Sequence, residues 1–155
     1  MGGLHNLHGI KAPAFIPAKA KHMIRDCKLI AERNNVRFKF NSYFPIRSLN
    51  LMRGVLVAEE DNFKSYYIDN ILDAIWQDGL NMNDDNIILK VLKILNINPK
   101  TFALRATSSS IKDSLKKKTS EAYEKGIFGA PTFVSNNKLF WGQDRIEFVL
   151  KEASK

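Results

Sequence analysis

The chain has 155 residues, 45% of them hydrophobic and 26% charged, which is the composition of one ordinary globular domain. No apolar run approaches the roughly 20 residues that a membrane-spanning helix requires, and the N-terminus lacks the apolar core of a secretory signal. We therefore expect a cytoplasmic protein with no membrane partner. The formal net charge is +8, but the lysines are scattered rather than clustered, so we expect no nucleic-acid partner.

Cysteine and histidine usage limits the chemistry that the chain can carry by itself. Cys27 is the single cysteine, whereas a disulfide or a CxxC redox pair needs two thiols. Its helical spacing from Met23 and Ile30 predicts a small core residue. His5 and His8 are three residues apart, but no acidic or cysteine residue lies near them in the sequence. We expect no metal site there, and a flexible, partly exposed N-terminal segment.

The first third of the chain predicts one helix and one strand. Pro17 suits the first turn of a helix, and apolar residues then recur near a 3.6-residue period as far as Arg33. Val36, Phe38 and Phe40 alternate with polar residues, which predicts a strand with one buried face.

A block of helices follows from Ser48 to about Lys125. Its helices are marked by local start and stop signals. The first helix has an apolar face from Ile68 to Trp76 and ends at Gly79, and the second is capped by Asp84 or Asp85. Asn98 followed by Pro99 begins a shorter helix, and a capping box of Ser110 and Asp113 begins the last one, which ends at Gly126.

The last 30 residues predict a hairpin and a helix. Residues 132–134 and 138–141 favour strands, and Asn136 with Asn137 favours a left-handed turn between them. A helix then begins at Gln143 or Asp144. The order of elements divides the chain into residues 1–47, a helical insertion over 48–125, and a C-terminal hairpin and helix over 126–155.

Four local sequences carry a resemblance to a known family. They are GIFGAPTFV at 126–134, FWGQDR at 140–145, PAFIPAKA at 13–20 and FPI at 44–46. In this order they resemble the motifs of 2-hydroxychromene-2-carboxylate isomerases and their kappa-class glutathione transferase relatives. The resemblance implies an α/β, thioredoxin-like fold with a helical insertion, as in DsbA.

The resemblance also implies a glutathione cofactor and a site for it. In thioredoxin folds the proline before the third strand is cis, so that the preceding residue offers its backbone N–H and C=O to an extended thiol peptide. Here those residues are Ala130 and Pro131, although a plain turn into a strand remains the alternative. Gln143 and Asp144 are implied to bind the gamma-glutamyl end, with a simple helix cap at Asp144 as the alternative.

Other candidates around this site have equally plain alternatives. Lys19 matches a basic position near glutathione in the family and is suited to neutralise a carboxylate, but a solvated helix lysine is an open alternative. Trp141, Phe44 and Phe15 are suited to line an aromatic substrate pocket or to fill core.

The family's start and active-site loop differ from this sequence. Relatives carry an asparagine where this chain has Ile10, and they begin with a strand and helix whose serine stabilises the glutathione thiolate. The equivalent of that serine would lie upstream of Met1, so the catalytic residue is unknown. We expect an N-terminally truncated chain that is less stable than its relatives and prone to self-association, with a homodimer as its partner state.

The implied function is glutathione-dependent cis–trans isomerisation of an aromatic or conjugated carboxylate. The thiolate adds to a conjugated double bond, the resulting single bond rotates, and elimination restores the alkene. Three alternatives remain open: a kappa-like glutathione transferase, a DsbA-family oxidoreductase, and a non-catalytic remnant that binds ligand without turnover.

Overall fold

The computed structural model describes all residues from 1 to 155 and divides them into two compact units. One unit joins Met1–Ala12 to Lys117–Lys155, and the other is Pro13–Lys116. The elements are α1 (Gly2–His8), α2 (Pro17–Arg33), α3 (Leu49–Glu60), α4 (Lys64–Trp76), α5 (Asp85–Ile94), α6 (Pro99–Ala106), α7 (Ser109–Glu124), β1 (Thr132–Ser135), β2 (Lys138–Trp141) and α8 (Ile146–Ala153). Short 3₁₀ turns lie at Pro13–Phe15 and Gln143–Arg145.

The units do not follow the boundaries that we expect from the motifs. The order of the predicted elements gives the segments 1–47, 48–125 and 126–155. The boundary between the two compact units falls at Lys116 instead, within α7. The helical insertion over 48–125 therefore stays a prediction. None of the helices combines the length and the apolar character that crossing a membrane would require.

The larger unit is built on a core to which the helices from α3 to α6 and the first turn of α7, through Ile111, contribute. Apolar residues recur on one face of each helix from α3 to α6, and those faces bury one another. Tyr67 of α4 is the largest fully buried side chain, and its hydroxyl donates to the Leu51 carbonyl at 3.3 Å. Gly54 of α3 faces this ring, because a Cβ placed there would lie 2.2 Å from the Tyr67 hydroxyl. Close approach of α3 to α4 thus depends on the missing side chain.

Most predicted helix boundaries in this unit are confirmed. Helix α2 covers Pro17–Arg33 as predicted, and Asp84 caps α5 by accepting from the Asn86 N–H at 2.8 Å. Asn98 caps α6 through two backbone N–H groups, with Pro99 in the first turn. The capping box at Ser110 is wrong, because α7 already begins at Ser109 and the Ser108 hydroxyl accepts from the Ile111 N–H.

The predicted strand over residues 36–40 is also wrong. The segment has no regular secondary structure and forms no ladder with another strand, because the only sheet in the chain is the β1–β2 hairpin. Two backbone bonds hold the segment: the Val36 N–H donates to the Ala31 carbonyl at 2.9 Å, and the Lys39 N–H donates to the Trp76 carbonyl at 2.6 Å. Alternation of apolar side chains reports a half-buried extended segment, whereas a strand also needs a partner for its backbone groups.

Asn41 anchors the chain directly after this segment. The side chain is fully buried, and its amide nitrogen donates to the carbonyls of Ile75 and Leu80 at 2.9 Å each. Its oxygen accepts from the Tyr43 N–H at 2.8 Å. A buried amide is tolerated because its donors and acceptor are all paired.

The smaller unit holds the only sheet of the chain. Strands β1 and β2 pair antiparallel, with Thr132 opposite Trp141, and the turn uses Asn136 and Asn137 at positive φ, as the sequence predicts. Helix α8 is joined to this hairpin through Glu152, a buried carboxylate that accepts from Lys138 and from Lys155 at 2.8 Å each.

The N-terminal segment belongs to the same unit and is a helix rather than a flexible tail. Leu4 of α1 is buried, and the His8 Nε2–H donates to the Ile127 carbonyl at 3.0 Å. The His8 ring also packs on Tyr123 with a centroid distance of 4.5 Å. The expectation of a flexible segment considered only partners close to His5 and His8 in the sequence, and it missed contacts between residues more than 100 positions apart.

Candidate functional site

The loop before β1 presents a free backbone edge. The Ala130–Pro131 peptide bond is cis, as predicted. Ala130 is exposed, and neither its N–H nor its C=O takes part in a hydrogen bond within the chain. One donor and one acceptor are therefore available side by side for an extended ligand.

The structure brings the second predicted motif next to this loop. The Gly142 N–H donates to the Pro131 carbonyl at 3.0 Å, which fixes the end of β2 beside the cis-proline. Gly142 has a φ of 105°, a conformation that a residue with a side chain rarely adopts. Gln143 and Asp144 follow in an exposed 3₁₀ turn. Ala130, Pro131, Gln143 and Asp144, four of the five predicted binding residues, thus lie in one short stretch of surface.

The Asp144 side chain is turned back toward Gly142 and paired with its neighbour. A Cβ on Gly142 would lie 2.5 Å from Asp144 Oδ1, and Asp144 Oδ2 accepts from Arg145 Nη1 at 2.7 Å. Both side chains are at least half exposed, so the pair is weak and open to competition. The alternative reading of Asp144 as a helix cap is wrong, because the cap positions are Gly142 and Arg145 and neither makes a side-chain cap bond.

The fifth predicted residue and two of the aromatic candidates belong to the other unit. Lys19 is exposed in the first turn of α2, and Phe15 is exposed in the 3₁₀ turn before it. Phe44 is half-buried and packs against Phe40 and Trp76 with ring centroids 5.5 and 5.7 Å apart. Phe44 therefore contributes to an aromatic cluster of that unit, as the core alternative proposed.

Trp141, the third aromatic candidate, lies directly against the cis-proline loop. A Cβ on Gly129 would be 2.4 Å from Trp141 Nε1, so the indole occupies the space that a side chain would need. Phe128 also packs on the indole, with a centroid distance of 5.1 Å. The sequence motifs did not identify Phe128 or Gly129 as site residues, because their contacts with Trp141 are visible only in the folded structure.

Cys27 is not a core residue and is poorly suited to act as a nucleophile. It is half-buried, and α2 contains no fully buried residue. Burial, and then the neighbouring Asp26 carboxylate, raise the pKa of the Cys27 thiol above its ordinary value. The 155 described residues contain no group of three or more His, Cys, Asp or Glu side chains placed to hold a metal ion.

Comparisons with known proteins agree with the motifs. The chain matches 2-hydroxychromene-2-carboxylate isomerase of Sphingobium xenophagum at 24% identity over 131 residues, covering 84% of this chain. It matches the enzyme of the same name from Pseudomonas putida at 21% identity over 138 residues, covering 89% of this chain. The chain spans 66% of the length of each of these relatives. The resemblance to this isomerase family is confirmed, whereas the relation to kappa-class transferases stays a prediction.

The fold is confirmed by a solved structure and by a family model. A selenomethionine 2-hydroxychromene-2-carboxylate isomerase structure superposes with a TM-score of 0.85 at 19% identity, over 99% of this chain and 75% of that one. The model of the DSBA-like thioredoxin domain matches residues 1–153. Because that match covers nearly every residue, the chain belongs to the DSBA-like thioredoxin domain family.

Proposed function

We propose that this chain is a glutathione-dependent isomerase, related in activity to 2-hydroxychromene-2-carboxylate isomerases, that acts on an aromatic or conjugated carboxylate. The observation that carries the proposal is the free backbone edge of Ala130, held beside Gln143 and Asp144 by the bond from Gly142 to Pro131. The names of the relatives favour isomerisation over the other reactions of the fold.

The cis-proline loop fits the cysteinyl part of glutathione. An extended peptide lying along Ala130 would accept from its N–H and donate to its C=O, as an added strand does at a sheet edge. Two backbone bonds fix the direction of the peptide and therefore the place of its thiol. The side chain of Ala130 is small, so it leaves this approach open.

The 3₁₀ turn fits the gamma-glutamyl end, which carries an ammonium and a carboxylate. Asp144 offers the only acidic group of the motif, and it would exchange its exposed Arg145 partner for the ammonium. Gln143 is exposed and offers amide donors to the ligand carboxylate. Lys19 belongs to the other unit, and its role toward the glycine carboxylate stays a prediction from the resemblance.

The bound cofactor would supply the thiol that adds reversibly to the conjugated bond of the substrate. The chain's own residues would bind and orient this thiol, with Ala130 fixing its position and Asp144 fixing the far end of the peptide. Holding the reacting groups in one geometry removes much of the entropic barrier to addition. The oxidoreductase alternative gains no support from Cys27, whose raised pKa disfavours the thiolate at neutral pH.

The proposal includes self-association of the smaller unit as a homodimer. Val134 of β1 and three apolar residues of α8, namely Ile146, Phe148 and Leu150, are exposed there. Exposed apolar surface on this scale favours burial against another copy. Light scattering coupled to size-exclusion chromatography would give a dimer mass, whereas a concentration-independent monomer mass would contradict this part of the proposal.

The test is a calorimetric titration of glutathione into the chain and its variants. We expect binding by the parent protein and a loss of about tenfold in affinity for Asp144→Asn, since one charge-assisted hydrogen bond is removed. Glu147→Gln is the matched control, because Glu147 is another exposed carboxylate at the start of α8. It should bind glutathione as the parent does.

Activity is measured separately, by the absorbance change of 2-hydroxychromene-2-carboxylate with and without glutathione. Turnover that requires glutathione supports the isomerase. Binding of glutathione without turnover of this or related conjugated acids points to the non-catalytic alternative. No binding by the parent protein, or equal loss in the Asp144 and Glu147 variants, contradicts the site.

A further inference from the structure

A pair of aromatic rings adjoins the free backbone edge of Ala130. The Trp141 indole lies against Gly129, the residue before Ala130, and Phe128 packs on the indole at an interplanar angle of 55°. Both rings are exposed, with 52% of Trp141 and 37% of Phe128 open to solvent. Tryptophans are highly buried on average, so an indole with about half of its surface open to solvent is available to a ligand.

The loop is built to bring the indole this close. Any residue but glycine at 129 would place its Cβ within 2.4 Å of Trp141 Nε1, and in addition within 3.1 Å of two ring carbons. The Gly129 carbonyl accepts from the Thr132 hydroxyl at 2.7 Å, which fixes the loop under the ring. The Gly142 N–H, one residue after Trp141, fixes the strand end from the other side. The indole is therefore held at a set position against Gly129, the residue that precedes Ala130.

The reaction proposed above requires an aromatic group at about this position. A thiol must approach the attacked carbon to about 3–3.5 Å, so the substrate double bond lies next to the cysteinyl part of glutathione. Conjugation keeps the double bond in the plane of the substrate's ring, which places that ring close to the same thiol. A thiol positioned by the Ala130 backbone thus brings the substrate's ring beside Trp141.

We infer that Trp141, supported by Phe128, is the stacking surface that binds the planar conjugated part of the substrate. This inference rests on the proposed function and names its specificity-determining residues. Offset or tilted stacking on the indole favours flat, conjugated rings over saturated rings of the same charge and size. Gly129 contributes by letting the indole approach the thiol-binding backbone.

The test observes each tryptophan directly in the intact protein. The chain has two tryptophans, Trp76 and Trp141, so labelling with 5-fluorotryptophan gives two fluorine resonances, which Trp76→Phe assigns. Cinnamate is titrated as the planar acid, and 3-cyclohexylpropanoate as its saturated counterpart. We expect cinnamate to move the Trp141 resonance saturably and the saturated acid to leave it unchanged.

Variants then test the role of the supporting ring. Phe128→Leu should weaken cinnamate binding roughly 2- to 10-fold, the loss expected for one aromatic contact. Phe148→Leu, which removes an exposed ring from α8, should leave the affinity unchanged. A Trp141 resonance that ignores cinnamate, or that responds equally to the saturated acid, overturns the inference.

The result of the cinnamate titration can be interpreted whether or not the protein binds glutathione. It is performed first without glutathione and then with it, while glutathione binding is measured by calorimetry. Glutathione binding with an unresponsive Trp141 overturns the stacking surface and leaves the proposed function standing. Selective cinnamate binding at Trp141 with no glutathione binding supports the aromatic surface and removes the proposed cofactor.

Discussion

Gly54 gives the sharpest structural prediction, because two effects of opposite sign compete there. Replacing it with alanine raises helix propensity by about 1 kcal/mol. The new methyl group would lie 2.2 Å from the Tyr67 hydroxyl oxygen, 2.7 Å from its ring carbon Cζ and 3.0 Å from Phe102 Cε1. Tyr67 is only 1% exposed, so its ring has no solvent to move into.

Overpacking of this kind costs about 3 kcal/mol at the upper end of the usual range. The net expectation for Gly54→Ala is therefore a loss of about 2 kcal/mol in the free energy of unfolding. Urea denaturation followed by circular dichroism measures it. Gly3→Ala is the control, since a Cβ there meets only Thr119 Cγ2 at an ordinary 3.5 Å, and it should be neutral or slightly stabilising.

A second substitution identifies the cause. Tyr67→Phe removes the closest atom but keeps the ring, so Gly54→Ala should cost about half as much in that background, an interaction that a double-mutant cycle detects. Equal cost in both backgrounds, or a Gly54→Ala protein as stable as the parent, would refute the argument that close helix packing requires this glycine.

Three further predictions concern other groups of the chain. Hydrogen bonds from its two lysine partners lower the pKa of Glu152 from 4.5 to about 2, so the stabilisation that they provide is present above about pH 4.5 and is lost as the pH falls toward 2. Glu152→Gln should therefore weaken the fall of the melting temperature below pH 4.5, whereas Glu147→Gln should not. A Glu152→Gln protein whose melting temperature falls with pH as that of the parent does would count against the pairing of Glu152 with the two lysines. Asn41→Ala leaves the buried Ile75 carbonyl without a donor, while the Leu80 carbonyl keeps the Met82 N–H, and should cost about 1–3 kcal/mol in urea denaturation, so a loss below about 1 kcal/mol would argue against its role as an anchor. Cys27 should react with a disulfide reagent at pH 7 more slowly than free cysteine, and Asp26→Asn should quicken it; a rate above that of free cysteine would contradict the raised pKa.

Local signals predicted those helices whose ends are fixed by neighbouring residues. Asn98 and Pro99 specify the start of α6 within four residues, and Pro17 does the same for α2. The hairpin turn follows from two asparagines that tolerate positive φ. Each of these helix starts and turns is determined by residues that are close together in the chain, so a sequence pattern predicts it.

Long-range contacts set the features that local patterns missed. Helix α1 is held by contacts of His8 with Tyr123 and Ile127, and neither partner is visible from the N-terminal sequence. Residues 36–40 alternate as a strand does, but their backbone finds no strand partner and bonds once to the end of α4. Alternation shows which side chains are half-buried and leaves the hydrogen-bond partner undetermined.

The candidate site was likewise predictable only in part: the sequence identified its residues, but not the contacts that their side chains make. The resemblance marked Ala130, Pro131, Gln143 and Asp144, and the structure places them together through a bond between backbone groups 11 residues apart. The pairing of Asp144 with Arg145 and the contact of the indole with Gly129 depend on side-chain direction, which spacing does not specify.

The most direct test of the central claim is an amide NMR titration of the nitrogen-15-labelled chain with glutathione. The Ala130 N–H makes no hydrogen bond within the chain, so a peptide that accepts from it should shift its proton resonance downfield and saturably. The Gly126 amide, which already bonds to the Tyr123 carbonyl, serves as a reference and should stay in place. An Ala130 resonance that remains unmoved while glutathione saturates the protein, or the absence of any saturable shift, would contradict the glutathione site.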